Sequence, residues 1–131
     1  MREFVLDTCA FLDLPTLELG EYRDGTPLLS AVTIGELAFG LDVGDPVQRA
    51  ARTERFRAAL AVFEILPFGV EEAKLYGALA GLVRAAGRNP RPRRLDLQIA
   101  ATAAAARMPL LTRNIADFAG LDRLVEVVAV S

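Results

Sequence analysis

The chain opens on a run of three apolar residues, Phe4-Val5-Leu6, that stops at a carboxylate, Asp7, followed by Thr8. So short a run, bounded by Glu3 and Asp7, reads as a buried strand over 3–7. Thr8 then reads as the N-cap of a short helix to about Leu14, ended by Pro15. Residues 15–27 contain Gly20, Asp24-Gly25 and Pro27 and predict a loop with at most a helical turn. Leu28 to Ser30 is a second short strand. Thr33-Ile34-Gly35-Glu36 opens a helix that ends near Gly40 or Gly44. Asp45-Pro46 is a strong helix start, with Asp as N-cap and Pro in the first helical position. Ala51, Phe56, Ala59, Leu60 and Phe63 recur at helical spacing and carry that helix to about Phe63. Glu64 to Pro67 predicts a strand. Val70 to Ala86 predicts a helix with Leu75, Leu79, Leu82 and Val83 on one face and Gly87 as its stop.

A basic, Pro-broken loop over 88–94 precedes a helix from Leu95 to Arg107. Apolar and small residues cover most of that helix's circumference, which predicts burial on most sides. Pro109 to Thr112 is a strand, Asn114 to Phe118 a turn or short helix, and Leu124 to Val130 the last strand. Strands alternating with helices predict an α/β domain with a mainly parallel sheet and helices on both faces. Asp7 then sits at the carboxyl edge of a central strand, where open α/β sheets bind ligands. A buried carboxylate needs a partner.

Composition narrows the chemistry. The chain has 131 residues, 53% of them hydrophobic, which fits one domain with a full core. No apolar stretch is long enough to span a membrane, and Glu3 and Asp7 interrupt what would be the apolar region of a signal peptide. A single cysteine, Cys9, excludes an internal disulfide framework and suits a reducing, cytoplasmic compartment. There is no histidine, so no Ser-His-Asp triad, Cys-His pair or His metal site. Lys74 is the one lysine, and neither GxxxxGK[ST] nor GxGxxG occurs. What remains is carboxylate and arginine chemistry. Net charge is −2, but Arg84 to Arg113 holds seven arginines against Asp96 alone, and the rest of the chain is acidic. That asymmetry can build a local positive field, or it can be a solvated arginine loop.

Four acids lie at element boundaries: Asp7 after the first strand, Glu36 in the first turn of the second helix, Asp96 in the first turn of the most apolar helix, and Asp117 soon after Leu110-Leu111-Thr112. Each has a local reading as well. Glu36 completes a Thr33-x-x-Glu36 capping box, Asp96 complements the positive end of its helix, and Asp117 is a turn acid. In a parallel sheet all four can converge on one edge. Carboxylates ~4 Å apart repel by about 4 kcal/mol at an effective dielectric near 20, so a cluster needs protons or cations. With oxygen donors and no histidine, the matching cation is Mg²⁺ or Mn²⁺. Such an ion activates water and stabilises phosphodiester oxyanions, and the neighbouring arginines would add phosphate contacts. A metal-dependent nuclease follows.

The segments 4–8, Thr33-Ile34-Gly35-Glu36-Leu37, 95–103 and 110–118, in this order and spacing, resemble the PIN-domain family, above all its VapC-type toxins of prokaryotic toxin–antitoxin pairs. The resemblance covers essentially the whole chain. It implies a single PIN domain over 1–131, a three-layer sandwich with a sheet of 4–5 strands. It implies an endoribonuclease using Mg²⁺ (or Mn²⁺), a homodimer, and inhibition by a small VapB-type antitoxin in a toxin–antitoxin hetero-oligomer. Asp7, Glu36 and Asp96 take the family's acidic positions. Many members have an Asp where this chain has Asn114; here Asp117 is expected to supply the fourth charge and Asn114 an active-site contact. Thr8 and Thr112 are expected to hydrogen-bond the carboxylates or substrate. Arg88, Arg91, Arg93, Arg94 and Arg113 are expected to grip RNA, and Cys9 to be a buried, inert thiol. The rival readings are a non-catalytic PIN-like RNA-binding or assembly module and a receiver-type signalling domain.

Overall fold

The structure, a computed structural model, describes residues 2–131. Its elements run β1 (Glu3–Leu6), α1 (Thr8–Leu12), β2 (Thr26–Ser30), α2 (Ala31–Phe39), α3 (Pro46–Val62), β3 (Glu64–Leu66), α4 (Val70–Ala85), α5 (Arg94–Ala106), β4 (Leu110–Thr112) and β5 (Val127–Ala129). Short 3₁₀ turns at Leu14–Thr16, Gly20–Tyr22, Arg91–Arg93 and Ile115–Phe118 fill the connections. The five strands form one all-parallel sheet in the order β3-β2-β1-β4-β5. A receiver-type module would carry the order 2-1-3-4-5, so the topology rules that alternative out.

Successive side chains of a strand point to opposite faces, and two cores result. Val5, Leu110 and Val127 face α4 and α5, joining Leu79, Val83, Leu97 and Ile99. Phe4, Leu6, Leu29, Leu111 and Val128 face the other way, against Phe11, Tyr22, Ile34 and Ala59. Helices thus cover both faces, as the alternation of elements predicts. The chain order reverses between β1 and β4. At such a switch point the helices leave from opposite faces and open a crevice at the carboxyl ends of the two strands.

Local signals place several boundaries. Asp45 accepts the Gln48 N–H (2.9 Å) while the Gln48 side chain accepts from the Asp45 N–H (2.9 Å), a capping box ahead of Pro46. The apolar stripe expected of α3 is thinner than its spacing implies. Ala59 is buried and Phe56 and Phe63 half-buried, but Ala51 and Leu60 are exposed. Two N-termini also differ from expectation. The cap of α1 is Asp7 rather than Thr8. Helix α2 begins at Ala31, capped by Ser30, whose hydroxyl accepts the Val32 N–H (3.0 Å). Glu36 is therefore in the second turn of α2, and no Thr33–Glu36 capping box exists.

Entry into β2 depends on Gly25. Its N–H donates to the Tyr22 carbonyl (2.9 Å), and a Cβ at this position would collide with the Arg2 carbonyl oxygen and lie 3.0 Å from the Phe4 ring. Gly25→Ala is expected to destabilise the fold by about 1–3 kcal/mol, the usual range for forced overpacking. Urea denaturation reads this directly, and an unchanged midpoint would contradict the packing described.

Candidate active site

The carboxyl ends of β1 and β4 are locked together at the switch point. The Thr112 hydroxyl donates to Asp7 Oδ2 (2.6 Å) and accepts the Asn114 N–H (3.0 Å). Asp7 Oδ1 accepts the Ala10 N–H (2.8 Å), so the same carboxylate caps α1. Asp7 is only 4% exposed. Burial raises its pKa above the usual carboxylate value; the Thr112 and Ala10 hydrogen bonds oppose that rise, and Asp117 adds to it. Among the described residues no cation touches it: both of its oxygens are met by neutral donors.

Asp96, in the first turn of α5, is brought to this edge by a buried link. The Thr102 hydroxyl donates to the Gln98 carbonyl (2.9 Å), which leaves its oxygen to accept from Ser30 (2.9 Å) at the end of β2. Burial raises the Asp96 pKa, and Asp7, Asp117 and Glu36 raise it further against a smaller opposing effect of Arg93. Asp96 thus feels all three other acids, so four carboxylates from four segments share one electrostatic environment. Glu36 is held by a relay in which Thr33 donates to Thr8 (3.1 Å) and Thr8 to Glu36 Oε1 (2.7 Å). The hydroxyls of Thr8 and Thr112 each serve a carboxylate.

Asp117 lies in the 3₁₀ turn after β4, and its Oδ1 pairs with Arg93 Nη2 (2.9 Å). Arg93 also reaches Asp96 (3.8 Å). Asn114 is exposed and begins that turn. The other arginines expected at the site separate in space. Arg88 donates to the Ala119 carbonyl (2.7 Å), Arg113 pairs with Asp13 (2.8 Å), and Arg91 and Arg94 are exposed. Cys9 is exposed rather than buried. Partial burial and the charges of Asp7, Asp96, Asp13 and Glu36 push its thiol pKa up, which disfavours the reactive thiolate.

Three participants are not among the site residues expected from the sequence, where Thr33 reads only as a helix cap. Thr33 is fully buried and supports Thr8. Arg52 and Arg55 of α3 line a recess with Thr8 and Glu36, distinct from the one that Arg94 shares with Glu36. A second recess, lined by Arg88, Arg93 and Asp117, flanks the other end of the cluster. Arginines on a polar helix read as solvated from spacing alone; only the packing of α3 beside α2 brings these two to the edge. Beside Glu36 an open recess of ≈ 510 Å³ is floored by Val32, Gly35, Phe39 and Leu95.

The donor set consists of carboxylates and hydroxyls, and the mutual repulsion around Asp96 is only partly offset. Hard oxygen donors of this kind match Mg²⁺, which keeps several waters and takes one or two protein carboxylates along with substrate phosphate oxygens. Among the described residues no three acidic or thiol side chains lie close enough together to hold an ion by themselves. The residues present fit a hard divalent cation.

The family model described as PIN domain matches residues 4–124. Among solved structures, the chain is similar to a VapBC-5 toxin–antitoxin structure from Mycobacterium tuberculosis (28% identity, TM-score 0.74, 98% of each chain covered). It is also similar to a toxin–antitoxin complex from Klebsiella pneumoniae (26%, 0.67, 96% of each) and to FitAcB from Neisseria gonorrhoeae (25%, 0.74, 95% of each). No curated protein matches with significance.

Proposed function

The chain belongs to the PIN-domain family, and from that premise we propose that it is a metal-dependent endoribonuclease, the toxin of a VapBC-type toxin–antitoxin pair. The observation that carries the catalytic reading is the gathering of Asp7, Glu36, Asp96 and Asp117 at the switch-point edge, with Asp7 buried and without a cation partner. So much like charge in one place has no structural use and a direct chemical one. Asp7 and Asp96 would be the principal ligands of Mg²⁺ or Mn²⁺, with Glu36 and Asp117 acting directly or through water. A bound ion there supplies a lowered water pKa and stabilisation of phosphodiester oxyanions.

The chain's own residues do the positioning. Thr112 and the Ala10 amide fix both oxygens of Asp7, and Thr8 fixes Glu36, so the donors need not reorganise during reaction. Arg88 and Arg93 (beside Asp117), Arg52, Arg55 and Arg94 (beside Glu36) and the exposed Arg91 offer phosphate contacts along an RNA strand; Arg113 borders the same edge. The reading requires no protein nucleophile: water attacks the phosphorus and the leaving oxygen departs, giving a 5′-phosphate and a 3′-hydroxyl. The whole chain acts as a single PIN domain.

The partners follow the same reading. The similar structures are described as toxin–antitoxin systems, and the apolar recess beside Glu36, with Phe39 87% exposed, is a surface a VapB-type antitoxin would cover. Val47, Leu60 and Val62 are exposed along α3 and support a homodimer that carries antitoxin as a hetero-oligomer. Among the described residues no helix is long and apolar enough to cross a membrane, in keeping with action in the cytoplasm. The test is RNA cleavage by partner-free chain. Cleavage is expected with Mg²⁺ or Mn²⁺, to be lost in EDTA and to return with excess Mn²⁺. Cleavage that persists in EDTA would defeat the metal mechanism.

A further inference from the structure

The acidic cluster is not uniform. Asp7 and Glu36 are held by neutral donors, the Thr112 and Thr8 hydroxyls and the Ala10 amide. Asp117 is held by a cation: Arg93 Nη2 lies 2.9 Å from Asp117 Oδ1, and Nη1 of the same guanidinium lies 3.8 Å from Asp96 Oδ2. One side chain thus bridges two of the four carboxylates through different nitrogens.

The bridge is built into the backbone. Arg93 ends the 3₁₀ turn Arg91–Arg93, its N–H donating to the carbonyl of the buried Pro90 (3.0 Å). Helix α5 starts at the next residue, which puts Asp96 one turn on, at i+3. Arg88 ties the start of the same loop to the Ala119 carbonyl, two residues beyond Asp117. Loop and acidic turn are therefore joined by a second link besides the ion pair. A guanidinium is charged at every accessible pH and matches carboxylate geometry. A divalent ion seeking Asp117 must displace it and then lie beside its positive charge.

We propose that Arg93 is the site's resident second cation: it occupies Asp117 and one side of Asp96, and so limits the cluster to one divalent ion, on the side of Asp7, Asp96 and Glu36. This rests on the metal-dependent reading above and narrows it: Asp117 serves the site by holding Arg93 and is not itself a ligand of the ion. It also gives the loop a use that general RNA affinity does not.

The test counts Mn²⁺ bound per intact chain without RNA, by the free-Mn²⁺ electron paramagnetic resonance signal and by calorimetry. Folding of each variant is checked by circular dichroism. One ion is expected for the wild type and for Arg93→Lys, which keeps the charge. Two are expected for Arg93→Gln, the second within about tenfold of the first in affinity. Two ions on the wild type, or one on folded Arg93→Gln, overturns the proposal while leaving the metal reading intact. No Mn²⁺ on the folded wild type defeats the metal reading itself. Should Arg93→Gln not fold, Asp117→Asn serves instead. The count is expected to stay at one, and a fall to none overturns the proposal.

Discussion

Asp7→Asn is expected to lower RNA cleavage by on the order of 10³-fold or more, the scale on which removal of a preorganised charge-stabilising group acts, and at the same time to make the protein more stable at neutral pH. The second half follows from the pKa. Burial, the largest cause, lifts the folded-state pKa of Asp7 above its unfolded value of 3.8, in spite of the Thr112 and Ala10 hydrogen bonds. An acid raised in this way is destabilising when ionised. The penalty is present in full above the folded pKa and fades as pH falls through it toward the unfolded value. Asparagine keeps an Oδ1 acceptor for the Ala10 N–H and carries no charge. In metal-free buffer the variant should therefore melt higher than wild type near pH 7. The two melting curves should converge in acid below about pH 4. A variant that melts lower than wild type at pH 7 would mean that the two hydrogen bonds outweigh desolvation.

The second large effect is on association and leaves the chemistry alone. Phe39 is 87% exposed on α2, one turn beyond Glu36, and faces a recess shared with Val32, Gly35 and Leu95. An aromatic ring at the centre of a desolvated patch is the usual anchor of an interface, and its truncation costs about 2 kcal/mol or more. Phe39→Ala is expected to weaken binding of the cognate antitoxin by about 30-fold. RNA cleavage should stay within about twofold and the melting temperature should barely move, because the ring packs little in the chain itself. Titration calorimetry with the antitoxin decides this. Undiminished affinity would place the antitoxin elsewhere. A shift from dimer to monomer in light scattering would assign the recess to a second copy of the chain.

How much of the site is legible in the sequence depends on how local each cause is. Asp7 stands out because a carboxylate ends an apolar run, and Asp96 because it opens a helix that is apolar nearly all round. Glu36 misleads. Its spacing from Thr33 copies a capping box, but the helix is started two residues before Thr33, where Ser30 is fixed by Thr102, 72 residues along the chain. The arginine segment is visible as charge and not as destinations. Arg93 goes to Asp117, Arg113 to Asp13 and Arg88 to a carbonyl, each separated in sequence by more than any local pattern spans.

By itself, then, the sequence determined the elements, the parallel α/β class and the acids at strand ends and helix starts. Hydrophobic periodicity and capping act within a few residues, and those signals survive in a linear reading. Tertiary structure alone decided the strand order with its switch between β1 and β4, the Thr112 hydroxyl on Asp7 across 105 residues, and the division of the cluster into a half held by neutral donors and a half held by Arg93. Those features come from which surfaces the two cores bury together, and a buried charge takes its meaning from the neighbours that burial supplies.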